Sequence, residues 1–74
     1  MNVQIVMDAT GDTRHSFDAT DAKAVAEAEA RFQTLTGKGF RAVSVGRAGE
    51  PGVLLQSFDP TARETLFIPQ LQGG

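Results

Sequence analysis

Thr65-Leu66-Phe67-Ile68-Pro69 holds three consecutive apolar residues closed by a proline. Successive side chains on a strand point to opposite faces, so Leu66, Phe67 and Ile68 cannot all lie on one side of a sheet. A strand with apolar residues on both faces is covered from both sides or packed at a crowded centre. Pro69 has no N–H to give and stops the hydrogen-bond ladder. The stretch therefore predicts a final strand inside a sheet, and the preceding residues must supply its neighbours and its cover.

The cover is a single helix. Asp18-Ala19-Thr20-Asp21 offers several capping oxygens and places carboxylates where the helix dipole favours them, directly before an alanine-rich segment. A helix is expected from about Thr20 or Asp21, with Ala22, Val25, Ala28, Phe32 and Leu35 forming one narrow apolar stripe at three- and four-residue steps. Lys23, Glu27 and Arg31 are read as a solvated opposite face. Thr36-Gly37-Lys38-Gly39 supplies glycine for a C-terminal cap and ends the helix near Thr36.

The neighbours are strands on either side of that helix. Val3, Ile5 and Met7 alternate with Asn2, Gln4 and Val6, and Thr13, His15 and Phe17 alternate beyond a bend at Asp8-Ala9-Thr10-Gly11-Asp12, so residues 1–18 read as a β-hairpin. Phe40 to Val45 alternates as a third strand that ends at Gly46. Residues 46–52 are a glycine-rich polar loop, Val53 to Phe58 is a fourth strand, and Asp59-Pro60-Thr61-Ala62 is a turn. The element order is ββαβββ: an α+β fold with one helix packed across a four- or five-stranded mixed sheet. No internal repeat or low-complexity segment interrupts it. The expectation is one domain over residues 1–69 and a flexible tail over residues 70–74.

Composition narrows the function classes. At 74 residues the chain has room for one domain with a thin core, which disfavours a deep substrate pocket. There are no cysteines, which removes disulfides, zinc-thiolate sites and thiol nucleophiles and makes the cytoplasm the expected compartment. A net charge of −2 gives no counterion-release drive toward DNA or RNA. The apolar runs are far too short to span a bilayer, and Met1-Asn2-Val3-Gln4 lacks a basic leader, so neither a membrane nor secretion is indicated.

Candidate chemistry is sparse. His15 is the only histidine and is read as an edge-strand residue rather than a ligand or base. Asp8 to Asp12 imitates the opening of a calcium loop, but the twelfth position is Ala19 instead of a bidentate glutamate, so a hairpin turn is expected. Asp8, Asp12, Asp18 and Asp21 are read as turn and cap residues. Gly37-Lys38-Gly39 lacks the upstream glycine of a phosphate loop and is read as a helix stop. No serine is spaced with His15 and an acid as in a hydrolytic triad. An enzyme is not expected, and neither a metal nor a bound cofactor.

The closing Gly73-Gly74 carries the most information. A glycine stem has no Cβ, so a partner's backbone can close around it and a carboxylate on it can approach the α-phosphate of ATP. The segment Glu64-Thr65-Leu66-Phe67-Ile68-Pro69-Gln70-Leu71-Gln72-Gly73-Gly74 resembles the ending of the small subunit of molybdopterin synthase, a sulfur carrier of the ubiquitin-like β-grasp superfamily. The features that carry the resemblance are Glu64, Phe67-Ile68, Pro69, Leu71 and the diglycine. It is also more distantly similar to ubiquitin's tail, although Gln70 and Gln72 stand where ubiquitin has arginines. Over the rest of the chain only the element order is similar.

The resemblance implies a β-grasp fold and a modifier or sulfur carrier, with Gly73 and Gly74 as the site of activation and Pro69 and Leu71 setting the exit of the tail. It also implies an E1-like adenylating partner that uses ATP and a possible protein target, with the chain itself expected to be a monomer. The alternative is a non-covalent interaction module or small assembly component of the same fold. Its contacts would come from Phe40, Arg41 and Phe58, should the two phenylalanines prove exposed and adjacent rather than core.

Overall fold

Five strands and one helix follow the chain in the order β1 (Asn2–Asp8), β2 (Gly11–Phe17), α1 (Ala22–Gly37), β3 (Phe40–Val45), β4 (Val53–Leu55) and β5 (Glu64–Pro69) in a computed structural model that describes residues 1–46 and 50–69. The strands form one mixed sheet in the order β2-β1-β5-β3-β4. β5 runs parallel to β1, with Val6 beside Phe67, and antiparallel to β3, with Ala42 beside Phe67. The apolar run at 66–68 thus occupies the centre of the sheet, as its two-faced pattern requires.

The helix covers one face of that sheet. Asp21 is its N-cap, accepting from the backbone N–H groups of Lys23 and Ala24, and Lys38 is its C-cap. Gly39 takes φ +99° and donates its N–H to the carbonyl of Thr36, a left-handed ending that an L side chain strains to adopt. Val25, Ala28, Phe32 and Leu35 are buried or half-buried as the stripe predicts, whereas Ala22 stays exposed at the first turn.

Phe32, Ala42 and Phe67 form the core, with Val6, Leu35, Phe40, Leu55 and Phe58 packed around it. Phe67 is fully buried, which stabilises the fold by roughly 1.5–3 kcal/mol. Its ring meets Phe32 edge-on at 5.8 Å, Phe32 meets Phe58 at 5.9 Å, and Phe58 meets Phe17 at 6.3 Å. This aromatic chain joins β5, the helix, the β4–β5 connection and β2.

Two expectations are corrected, and the face that β1 turns to the helix is added. Val53 to Phe58 is not one long strand: pairing stops at Leu55, and a bend at Gln56 and Ser57 precedes Phe58, whose ring joins Phe17 and Phe32. On β1 the helix side carries Gln4 and Val6, so Val3, Ile5 and Met7 point to the opposite face. Val6 in register with Phe67 fixes that choice, because a one-residue slip would turn every side chain over. Arg31 does not belong to a merely solvated face. It lies three residues after the buried Ala28, is half-buried, and hydrogen-bonds Gln4.

Candidate functional site

Pro69 closes β5 opposite Phe40, the first residue of β3. One residue earlier Ile68 pairs with Arg41, and continuing the β1–β5 register beyond Val6 and Phe67 brings Ile68 alongside Met7. These three side chains share the sheet face turned away from the helix. Met7 is 43% exposed and Ile68 40%, and Arg41 is also exposed, so the end of the central strand is ringed by two apolar side chains and a cation. Leu54 on β4 extends the exposed apolar surface of this face, while Ile5, between Arg14 and Leu66, is closed over.

Of the residues singled out in the sequence, Pro69 and Arg41 fall at this end of the sheet. Phe40 and Phe58 do not form a surface with Arg41: both are half-buried and pack against the core. Gly73, Gly74 and Leu71 lie outside the described residues. Met7 and Ile68 were not among the expected contact residues, although strand alternation in the apolar run at 66–68 puts Leu66 and Ile68 on the face opposite Phe67.

The aspartates sit where turn and cap chemistry puts them. Asp8, Asp18 and Asp59 each accept, through Oδ1, both the backbone N–H and the hydroxyl of the threonine two residues on: Thr10, Thr20 and Thr61. The hydroxyl bonds are 2.6 to 2.7 Å long. The side-chain bond from the threonine, then the backbone bond, holds each carboxyl below its usual range. Asp-Ala-Thr, Asp-Ala-Thr and Asp-Pro-Thr are therefore one turn device used three times. Among the described residues no group of three or more His, Asp or Glu side chains converges as a metal site.

A second feature lies on the other side of the sheet. Val6, Thr13, His15, Arg31, Thr34 and Leu35 line a groove of about 400 Å³ between β2 and the helix. Burial, and secondarily the charge of Arg31, lowers the His15 pKa from its ordinary value. Gln4, only 1% exposed, closes the sheet–helix junction by donating to the Ala28 carbonyl at 3.0 Å and accepting from Arg31 Nη1 at 2.8 Å.

Among the described residues no helix is long and apolar enough to cross a membrane. No family model, curated protein or solved structure matches this chain. The fold itself is α+β, with one helix against a five-stranded mixed sheet in an arrangement compatible with a β-grasp.

Proposed function

We propose that the chain is a ubiquitin-like modifier or sulfur carrier, activated at Gly73-Gly74 by a partner adenylating enzyme. The observation that supports this reading is the central place of β5. A strand clamped between β1 and β3 gives residues 70–74 a firm root at Pro69, beside an exposed ring of Met7, Ile68 and Arg41 on which a partner can bear. A fold with its last strand at an edge would offer a weaker anchor.

In the proposed reaction a Gly74 carboxylate oxygen attacks the α-phosphorus of ATP, the α–β phosphoanhydride breaks, and pyrophosphate leaves. A sulfide, thiol or amine nucleophile that the partner or target supplies then attacks the Gly74 carbonyl carbon, the bond to phosphate breaks, and AMP leaves. Leu71 and Pro69 guide the stem, and Gly73 lets the partner's backbone close around it. The chain contributes no catalytic group. The compartment proposed is the cytoplasm.

The reading requires Gly74 to carry the reacting carboxylate. Intact mass of the protein isolated from its native host tests it, with a terminal thiocarboxylate or a conjugate through Gly74 as the expected result. Deletion of Gly74 is expected to abolish that product and leave the fold intact; a product that persists after the deletion overturns the reading. The exposed Met7, Leu54 and Ile68 favour a second reading, a non-covalent interaction module. Partner binding unchanged by loss of Gln72, Gly73 and Gly74 would select it.

A further inference from the structure

We propose that the hollow between His15 and Arg31 binds a small monocarboxylate with a branched aliphatic or single-ring body, its head between those two side chains and its body over Val6 and Leu35. The site is separate from the end of β5, and the proposal is independent of any reaction at Gly74.

One buried side chain positions both partners of the head group. Gln4 on β1 lies in register with His15 on β2, so the two share the face turned to the helix. Oε1 of Gln4 accepts from Nη1 of Arg31 at 2.8 Å, and the other end of the amide is spent on the Ala28 carbonyl. Imidazole and guanidinium therefore border the same buried amide, one from the sheet and one from the helix. A guanidinium has five N–H donors, and the bond to Gln4 holds Arg31 in place while leaving others for a ligand carboxylate.

Volume and lining set the class of ligand. About 400 Å³ lies within the roughly 300–1,000 Å³ of small-ligand clefts, which join an apolar floor to a few convergent polar groups. Val6 and Leu35, which pack on the core, are that floor, and the exposed Thr13 and Thr34 add hydroxyls. No carboxylate occurs among the described residues that line the hollow. Asp12 pairs with Met7 and so belongs to the opposite face, and Asp8, at the far end of β1, pairs with Gly11 and accepts from Thr10. Glu27, one turn before Arg31, is exposed and outside the lining. The charge selects an anion, and the floor selects one with an apolar body.

The same geometry couples the ligand to a proton. β1 presents Gln4 and Val6 to His15, β2 presents Thr13 and Phe17, and α1 presents the cation of Arg31. In the free chain burial, and then Arg31, hold the imidazole below its ordinary pKa. A bound carboxylate offsets the Arg31 charge and favours the protonated ring, so affinity rises as pH falls from about 7 to about 5, where the ligand is still ionised.

The test titrates the isotopically labelled full chain with phenylacetate, followed by amide shifts and by the ring protons of His15. Shifts are expected at Thr13, His15, Arg31, Thr34 and Leu35, with a higher His15 pKa in the saturated complex and affinity about fivefold greater at about pH 5 than at about pH 7. Phenylacetamide keeps the ring without the charge, and acetate the charge without the ring. Each is expected to bind at least about tenfold more weakly. His15→Gln is expected to abolish the pH dependence, and Arg31→Met to weaken binding at least about tenfold. Because the second change also breaks the bond to Gln4, Thr34→Trp serves as a further variant: Thr34 is exposed, so the indole fills the hollow without disturbing the core, and binding is expected to be lost. Equal affinity for the acid and its amide, a His15 pKa unmoved by saturation, affinity indifferent to Thr34→Trp, shifts centred on Met7, Leu54 and Ile68, or no shift at on the order of ten millimolar phenylacetate would each overturn the proposal.

Discussion

Gln4 and Arg31 are joined side chain to side chain across the junction of sheet and helix, with Nη1 of Arg31 donating to Oε1 of Gln4 at 2.8 Å. The other end of the same amide donates to the Ala28 carbonyl. A glutamine at this depth is tolerated because both ends of its amide are satisfied; left unpaired, they would cost about 1–3 kcal/mol.

Shape and polarity at this position separate by substitution. Gln4→Met keeps the volume, leaves Arg31 partly solvated, and is expected to cost about 1 kcal/mol. Gln4→Ala also leaves a cavity under the helix and is expected to cost about 2–4 kcal/mol. Urea unfolding of the two variants measures the difference, and equal losses would mean that packing contributes nothing here.

Two glycines flank the helix end with opposite consequences. Gly37 lies within the helix and has open space where a Cβ would be, so Gly37→Ala is expected to stabilise by about 0.5–1 kcal/mol. Gly39 has equally open space but φ +99°, so Gly39→Ala is expected to destabilise by about 1–2 kcal/mol from backbone strain alone. Thermal melts of the pair give the two signs directly.

The three Asp-X-Thr turns predict a shared acid response. Their carboxyls are held below the ordinary range in the folded chain, so their contribution is present above the unfolded value and is lost as pH falls through the lower folded values. Asp8 and Asp18 are exposed, which makes the effect modest and sensitive to salt. The triple variant Asp8→Asn, Asp18→Asn, Asp59→Asn should show a flatter decline of stability below about pH 4 than the parent. Parallel acid curves would show that the turns carry no linkage.

His15 acts at higher pH. Burial and then Arg31 keep its folded pKa under 6.5, so the unfolded chain takes up the proton first as pH falls, and stability drops from that point until the folded value is passed. His15→Gln is expected to remove this slope between about pH 7 and pH 5. Denaturant midpoints across that range decide it, and an unchanged slope would assign the effect to another group.

Much of the architecture was legible because independent signals agreed. The apolar run at 66–68 demanded an interior strand, the Asp21 cap and the stripe from Val25 to Leu35 defined the helix, and Gly37 to Gly39 marked its end. The face of β1 was not legible locally. Val3, Ile5 and Met7 look like a core-facing set, yet register with Phe67 turns Gln4 and Val6 to the helix, and the partners that make Gln4 acceptable there lie 24 and 27 residues away. The end of β4 was hidden for a similar reason. Phe58 reads as strand until the ring cluster with Phe17 and Phe32 is known. The groove is illegible from one strand because it exists only where an edge and a helix meet.

The strand in the middle of the sheet is also the last of the five to leave the ribosome. Without it, β1 and β3 share no backbone hydrogen bonds, and nothing in the sheet joins the β1–β2 hairpin to the β3–β4 pair. Closure inserts one segment between two waiting edges, parallel to one and antiparallel to the other, and such long-range pairing is slow. Protection from protease should therefore arrive abruptly, only once all of β5 is free to pair, and a version stopped before Glu64 should remain unfolded.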